Sequence, residues 1–181
     1  EECRFYGVDL WLAPSINIFR NPLGGRNNSY ASEDPYLSGI FASEQIKSIQ
    51  KCGVGAVLKH YCANSTEYER LKSNSRVSER ALREIYMKGF EIAVKRADPW
   101  AIMSSYNSVN DTKVCENRTL ITEIPRKEWN WDGIFVTDWW NDSNHIKELK
   151  AGHDLKMATG DISGVAKALG DGILTREEVY V

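Results

Sequence analysis

The 181-residue chain is 42% hydrophobic and 27% charged, with 23 Lys+Arg against 25 Asp+Glu and a formal net charge of -2. This is the composition of a globular chain and excludes disorder, collagen and coiled coil; it also leaves no basic face for nucleic acid, whose phosphates demand clustered Lys and Arg. No window approaches the roughly 18 uninterrupted apolar residues that span a bilayer, so neither nucleic acid nor a membrane is expected as a partner.

The chain opens Glu1-Glu2-Cys3-Arg4, without the basic and apolar regions of a signal peptide. That favours a cytoplasmic location over secretion, unless a segment ahead of Glu1 carries the signal. The first apolar run rich in β-formers is Val8 to Leu12. Asp34-Pro35 then supplies an N-cap acid with proline at the first helical position, opening a helix through Leu37, Ile40, Phe41, Ile46 and Ile49 that stops near Gly53.

A second strand is predicted over Gly55 to His60. Ser78 caps a second helix, in which Leu82, Ile85, Tyr86, Phe90, Ala93 and Ala97 recur at three- or four-residue steps until Pro99 forbids continuation. Strands are predicted over Trp100 to Tyr106 and Gly133 to Asp138, with a weaker fifth over Asp154 to Met157. Between and after them come helical segments from Arg118 to Trp129, with Pro125 as an internal flaw, from Asn144 to Ala151, and from Gly164 to Ala168. A further helix start is placed at Thr175.

Strand followed by helix, repeated, is the pattern of βα units and a parallel sheet. Four or five such units fit either an open doubly wound sheet or part of an eight-unit barrel; a whole barrel needs about 250 residues, so a barrel could not close within this length. The four cysteines, Cys3, Cys52, Cys62 and Cys115, form no C-x-x-C pair and share no ligand spacing with His60, His145 or His153, so free thiols and no metal are expected. Asn-x-Ser/Thr triplets at Asn27, Asn64, Asn110, Asn117 and Asn141 carry no weight in a cytoplasm.

The positions of the polar residues separate the two architectures. An open nucleotide-binding sheet requires a glycine-rich turn after its first strand, but Val8 to Leu12 runs into Ala13-Pro14-Ser15, and Gly24-Gly25 precede Arg26-Asn27 with no G-x-G-x-x-G. No cofactor is expected. The strand ends instead deliver Lys59-His60-Tyr61, Ser104-Ser105-Tyr106-Asn107 and Thr137-Asp138-Trp139-Trp140. A lone aspartate closing so apolar a strand is more simply a helix cap or a buried ion-pair partner. Trp139 beside it offers a flat face for a sugar ring, and three polar clusters on successive strands shift the reading towards a sugar site.

Seven strings, Phe19 to Asn27, Ser32 to Leu37, Lys59-His60-Tyr61, Val77 to Tyr86, Met103 to Asn107, Val136 to Trp139 and Ala151 to Met157, together and in this order resemble the barrel domain of glycoside hydrolase family 3. The resemblance runs from about Gly7 to the end. It implies an α/β fold, a partial (β/α)8 barrel of TIM type with about four to five βα units, with residues 1–181 forming part of a single barrel domain.

The resemblance also implies roles. Asp138 matches the family's catalytic nucleophile; Arg26, Lys59, His60 and Arg70 match residues that hold the hydroxyls of the sugar. Met103 and Tyr106 match residues near the sugar and the nucleophile, and Trp139 matches the subsite tryptophan. Trp140 departs from the small residue often found there. Adjacent strand residues face opposite ways, and the family suggests a cis peptide between Lys59 and His60.

The loop after Lys59-His60 reads Tyr61-Cys62-Ala63-Asn64, without the Pro-Gly and second histidine of the N-acetylglucosamine-cleaving branch. A β-glucosidase or β-xylosidase type is therefore implied, with a β-linked glucoside as substrate and a retaining mechanism. In that branch the general acid is a glutamate on an α/β-sandwich domain that this chain does not contain. The expectation is thus a fragment with little or no turnover of its own. Two rival readings stay open: a carbohydrate-binding or structural barrel module without catalysis, and a barrel aldolase using Lys59 as a Schiff base.

Overall fold

The apolar runs become four parallel strands in the computed structural model, which describes residues 1–179: β1 (Leu10–Trp11), β2 (Gly55–Tyr61), β3 (Ala101–Ser104) and β4 (Ile134–Val136). They lie side by side in sequence order, β1-β2-β3-β4. A doubly wound sheet reverses its order at a switch point; a barrel does not. The sequential order therefore makes this sheet a segment of a (β/α)8-type barrel.

Alternation along the strands divides the core into two layers. Ala56, Leu58, Ile102 and Phe135 join a large cluster with the helical residues Ile46, Phe90, Val94, Ile121 and Ile124. Val57, Ala101, Met103 and Val136 point the other way and form a second cluster, with Leu10, Leu12 and Met157 against it. The period-two alternation of a strand thus places helices on one face and the barrel interior on the other.

Helix α1 (Pro35–Lys51) begins where the Asp34 carboxylate accepts the Tyr36 and Leu37 amides at 2.8 and 3.4 Å. It crosses α2 (Lys88–Ala97) at Gly39, where a Cβ would stand 2.9 Å from the Gly89 carbonyl, so only glycine permits this approach. Ser78 caps the turn Glu79–Ala81, and a wider π-helical stretch over Leu82–Tyr86 leads into α2. Asp98, left-handed at φ 47°, ends it.

Several boundaries differ from expectation. The strand expected over Val8 to Leu12 keeps regular pairing only at Leu10–Trp11, because Pro14 has no N–H to donate; beyond it Ala13 and Pro14 still accept the Val57 and Lys59 amides at 3.1 and 2.9 Å. The fifth strand reduces to a single bridge between Leu155 and Val136, since the Thr137 hydroxyl takes the Met157 amide at 2.9 Å in place of a ladder carbonyl. The segment predicted as an α-helix from Arg118 to Trp129 is a π-helix over Thr119–Glu128, whose wider turn contains Pro125.

Helix α3 (His145–Ala151) starts at Asn144, which caps Lys147, and stops at Gly152 (φ 102°). Helix α4 (Ile162–Gly170) exceeds the expected Gly164 to Ala168 because Asp161, unread as a cap, holds the Gly164 amide at 2.9 Å. Thr175 opens the turn Arg176–Val179 by a reciprocal pair: its amide donates to Glu178 Oε2 at 2.9 Å and its hydroxyl accepts the Glu178 amide at 3.2 Å. A small sheet of Asn74–Ser75, Ser108–Val109 and Thr112–Lys113, not foreseen, joins the loops after β2 and β3.

His153 lies buried after α3 with Nε2 2.9 Å from the Ser104 hydroxyl. Burial, then the charges of Arg126 and Lys156, press its pKa from 6.5 to about 3. The unfolded chain binds this proton below about 6.5 and the folded chain refuses it, so this site removes stability as pH falls through that window. Chemical denaturation of His153→Asn between pH 7 and 4 is expected to show a pH slope shallower than the parent's by about one proton.

Candidate active site

The loops at the C-terminal ends of β1, β2, β3 and β4 converge, as barrel geometry dictates. Asp138 follows β4 by two residues and is only 6% exposed. Its Oδ1 accepts the Trp139 amide at 2.8 Å, and its buried Oδ2 has no hydrogen-bond partner among the described residues. Burial raises its pKa above the ordinary carboxylate value; the Trp139 N–H, the Tyr106 hydroxyl, Arg26 and Lys59 pull against that rise.

His60 Nε2 stands 3.6 Å from the free Oδ2. The imidazole is neutral at any ordinary pH, since burial first and then Arg26, Lys59 and Arg70 lower its pKa to about 2. Arg26 Nη1 lies 3.3 and 3.2 Å from the two ring nitrogens, placing the guanidinium against the ring. The His60 amide is held by Asn17 Oδ1 at 3.0 Å. The peptide bonds Lys59–His60 and Tyr61–Cys62 are both cis, where the β2 register shifts between Leu58 and Tyr61.

Lys59 is half-buried, and its ammonium has no hydrogen-bond or ion-pair partner among the described residues. Burial lowers its pKa, Asp138 opposes that, and Arg26 adds to it. Arg26 pairs with Glu67, which also accepts Arg70 Nη1 at 3.3 Å. The Arg70 guanidinium in turn lies 4.9 Å over the Tyr106 ring, and the Tyr106 hydroxyl donates to the Trp139 carbonyl at 2.5 Å. Trp139 is 39% and Trp140 67% exposed, with ring centroids 5.5 Å apart.

The structure therefore gathers Arg26, Lys59, His60, Arg70, Tyr106 and Trp139 around Asp138. Met103 is placed differently: it is buried one layer down, in the inner-face cluster with Val57 and Val136. Sequence reading missed Glu67, which ties two of the arginines together, and Asn17, which fixes the His60 backbone. Glu67 left one legible sign, an acid three residues ahead of Arg70.

A carboxylate with one unengaged oxygen, flanked by an unpaired ammonium, a guanidinium and a neutral imidazole, can attack an electrophilic carbon while its neighbours donate to hydroxyls. No group of three or more His, Cys, Asp or Glu side chains among the described residues could hold a metal. The larger cavities, one at Lys95, Arg126 and Trp131 and one at Trp11, Phe41 and Ile49, share no residue with this cluster. No helix among the described residues is long and apolar enough to cross a membrane.

Comparison with known proteins agrees with this architecture. The family model described as glycosyl hydrolase family 3 N terminal domain matches residues 1–180. Thermostable beta-glucosidase B of Acetivibrio thermocellus is 48% identical over 159 residues, covering 88% of this chain and 21% of that protein. An exo-alpha-(1->6)-L-arabinopyranosidase of Bifidobacterium longum is 45% identical, covering 97% of this chain and 23% of that protein. The structure of beta-glucosidase 3B from Thermotoga neapolitana in complex with glucose superposes with a TM-score of 0.95 at 46% identity, over 98% of this chain and 26% of that one. The chain spans about a fifth of the length of such curated relatives.

Proposed function

The chain belongs to glycoside hydrolase family 3, and from that premise we propose that it carries the nucleophile half of a retaining β-glucosidase site, with Asp138 as the nucleophile. The observation that carries this reading is the unpartnered Asp138 Oδ2 at the strand ends, with His60 3.6 Å away and Lys59 and Arg26 acting on the same carboxylate. Asp138 Oδ2 attacks the anomeric carbon on the face opposite the leaving oxygen. The glycosidic C–O bond breaks, its electron pair leaves with that oxygen, and a glycosyl ester forms on Asp138. Water then attacks the same carbon, giving a proton to the residue that had protonated the leaving oxygen, and releases the sugar and the Asp138 carboxylate.

Lys59, Arg26, Arg70 and His60 donate to the hydroxyls of the sugar, and donors that tighten as the ring flattens towards an oxocarbenium ion raise the rate. Trp139 supplies the apolar face against which the ring lies. Met103 sets the floor from below.

The leaving oxygen needs a proton from a carboxylic acid roughly 5 to 5.5 Å from the nucleophile. Glu67, the carboxylate tied into this cluster, is paired with Arg26 and Arg70. As the family resemblance implies, the acid is assigned to a glutamate on an α/β-sandwich domain of a longer enzyme, and the chain by itself is expected to turn over little or nothing. The loop after His60, without a second histidine, fits a β-glucoside as substrate.

Trapping tests the reading. A full-length enzyme carrying this sequence, treated with 2-deoxy-2-fluoro-β-D-glucosyl fluoride and digested, is expected to yield one labelled peptide, esterified at Asp138. An absence of label overturns the nucleophile reading.

A further inference from the structure

Behind Asp138, the loop 138–144 closes on a buried charge pair that the chemistry above does not use. Glu148 on α3 is fully buried, and the Lys156 side chain is 8% exposed. Lys156 Nζ donates to Glu148 Oε1 and Oε2 at 2.8 and 2.9 Å. The same ammonium stands 3.1 Å from Asn141 Oδ1 and 3.4 Å from the Ser143 carbonyl.

Asn141 carries the connection forward. Its Nδ2 donates to the Asp138 carbonyl at 3.2 Å, while its Oδ1 also accepts the Ser143 amide at 3.1 Å. The Ser143 hydroxyl bridges Asn141 and Glu148. One unbroken run of hydrogen bonds therefore links the backbone of Asp138 to a buried ion pair.

The pair is an uneconomical way to hold α3 in place. Desolvating an ammonium and a carboxylate is expensive, and apolar side chains of similar size pack such a site equally well or better. What an apolar pair could not do is supply the second donor on Asn141 Oδ1, where the Lys156 ammonium joins the Ser143 amide in turning Nδ2 towards Asp138. The Asp138 carboxylate is itself aimed by the next peptide, through the Trp139 amide on Oδ1. The position of the loop backbone thus sets both the attacking oxygen and the Trp139 platform.

We infer that Lys156 is a positioning residue for the reaction at Asp138: through Asn141 it clasps the loop that aims the carboxylate, while Glu148 supplies the neutralising charge. The inference rests on the reading of Asp138 as nucleophile. It concerns the approach of the carboxylate to the anomeric carbon and leaves the donors that grip the resting sugar, Lys59, Arg26 and His60, untouched.

The double variant Lys156→Met/Glu148→Leu in a full-length enzyme separates positioning from packing, because it removes the clasp and leaves an apolar pair. It is expected to unfold at or above the parental midpoint and to lose less affinity for glucose than it loses labelling rate. Labelling of Asp138 by the fluorinated glucosyl fluoride is expected to slow about 10- to 100-fold, the effect of misplacing a reacting group by a fraction of an ångström to an ångström. Labelling at the parental rate overturns the inference. Should that variant not fold, Lys156→Arg decides: it keeps the charge opposite Glu148 but cannot place one compact ammonium among four oxygens, so slowed labelling supports the clasp and the parental rate overturns it. Label on another carboxylate in the parent enzyme overturns the nucleophile reading, and the clasp with it; label on Asp138 at an unchanged rate in the variant overturns the clasp alone.

Discussion

Asp138→Asn in a full-length enzyme carrying this sequence is expected to lower kcat for an aryl β-glucoside by at least about 10⁴-fold, the scale on which enzymes lose rate when a covalent nucleophile is removed. The amide keeps the shape of the carboxylate and can still accept the Trp139 N–H, so the loss reports the missing nucleophile rather than a disturbed loop. Stability should move the other way. Burial raises the folded pKa of Asp138 above its unfolded value, so the folded state binds the proton more tightly and loses stability as the pH rises through that interval. Removing the charge removes that cost, and the variant is expected to unfold at a higher temperature than the parent at neutral pH. Substantial turnover by the variant would place the nucleophile elsewhere.

Lys59→Met should lower kcat/KM about 100-fold, since a charged hydrogen bond to substrate contributes roughly 1.5 to 3 kcal/mol. Methionine preserves the length and the apolar stem of the side chain, so the half-buried position stays filled. The ammonium has no hydrogen-bond or ion-pair partner among the described residues, so its loss leaves no orphaned carboxylate apart from Asp138. There the effect has a sign: Lys59 helps to hold the Asp138 pKa down, and without it the acid limb of the kcat/KM profile should shift to higher pH. A variant with reduced kcat/KM and an unmoved acid limb would separate Lys59 from Asp138. The aldolase reading makes a different demand, reductive trapping of a carbonyl substrate on Lys59 by borohydride, and Asp138 would then be free of any covalent sugar.

The elements that sequence reading located best are those whose signals are local. Asp34 before Pro35 and Ser78 each cap the helix expected of them, because a cap is a contact between residues two or three apart. The missed cap at Asp161 shows the same rule from the other side, since Gly164 weakened a helical pattern that the aspartate in fact begins. The strand over Asp154 to Met157 failed for a reason no local pattern carries: its would-be ladder partner is the Thr137 side chain, seventeen or more residues away. The small sheet of three two-residue strands was too short for any period to register.

The order of βα units and the polar residues at the ends of the strands are determined by the sequence alone, because hydrophobic periodicity and residue chemistry are properties of neighbours along the chain; the candidate nucleophile came from the resemblance of its string to the family. Only the tertiary structure decided that β1 to β4 stand in sequential order, that Met103 lies beneath the cluster rather than in it, that Glu67 joins Arg26 to Arg70, and that Lys156 and Glu148 meet behind Asp138. Each of these is a meeting of side chains on different loops or strands. Burial then sets their energies: it raises Asp138, keeps His60 neutral and holds the Lys156 charge against Glu148, and how deeply a group is buried is known only once the chain has closed around it.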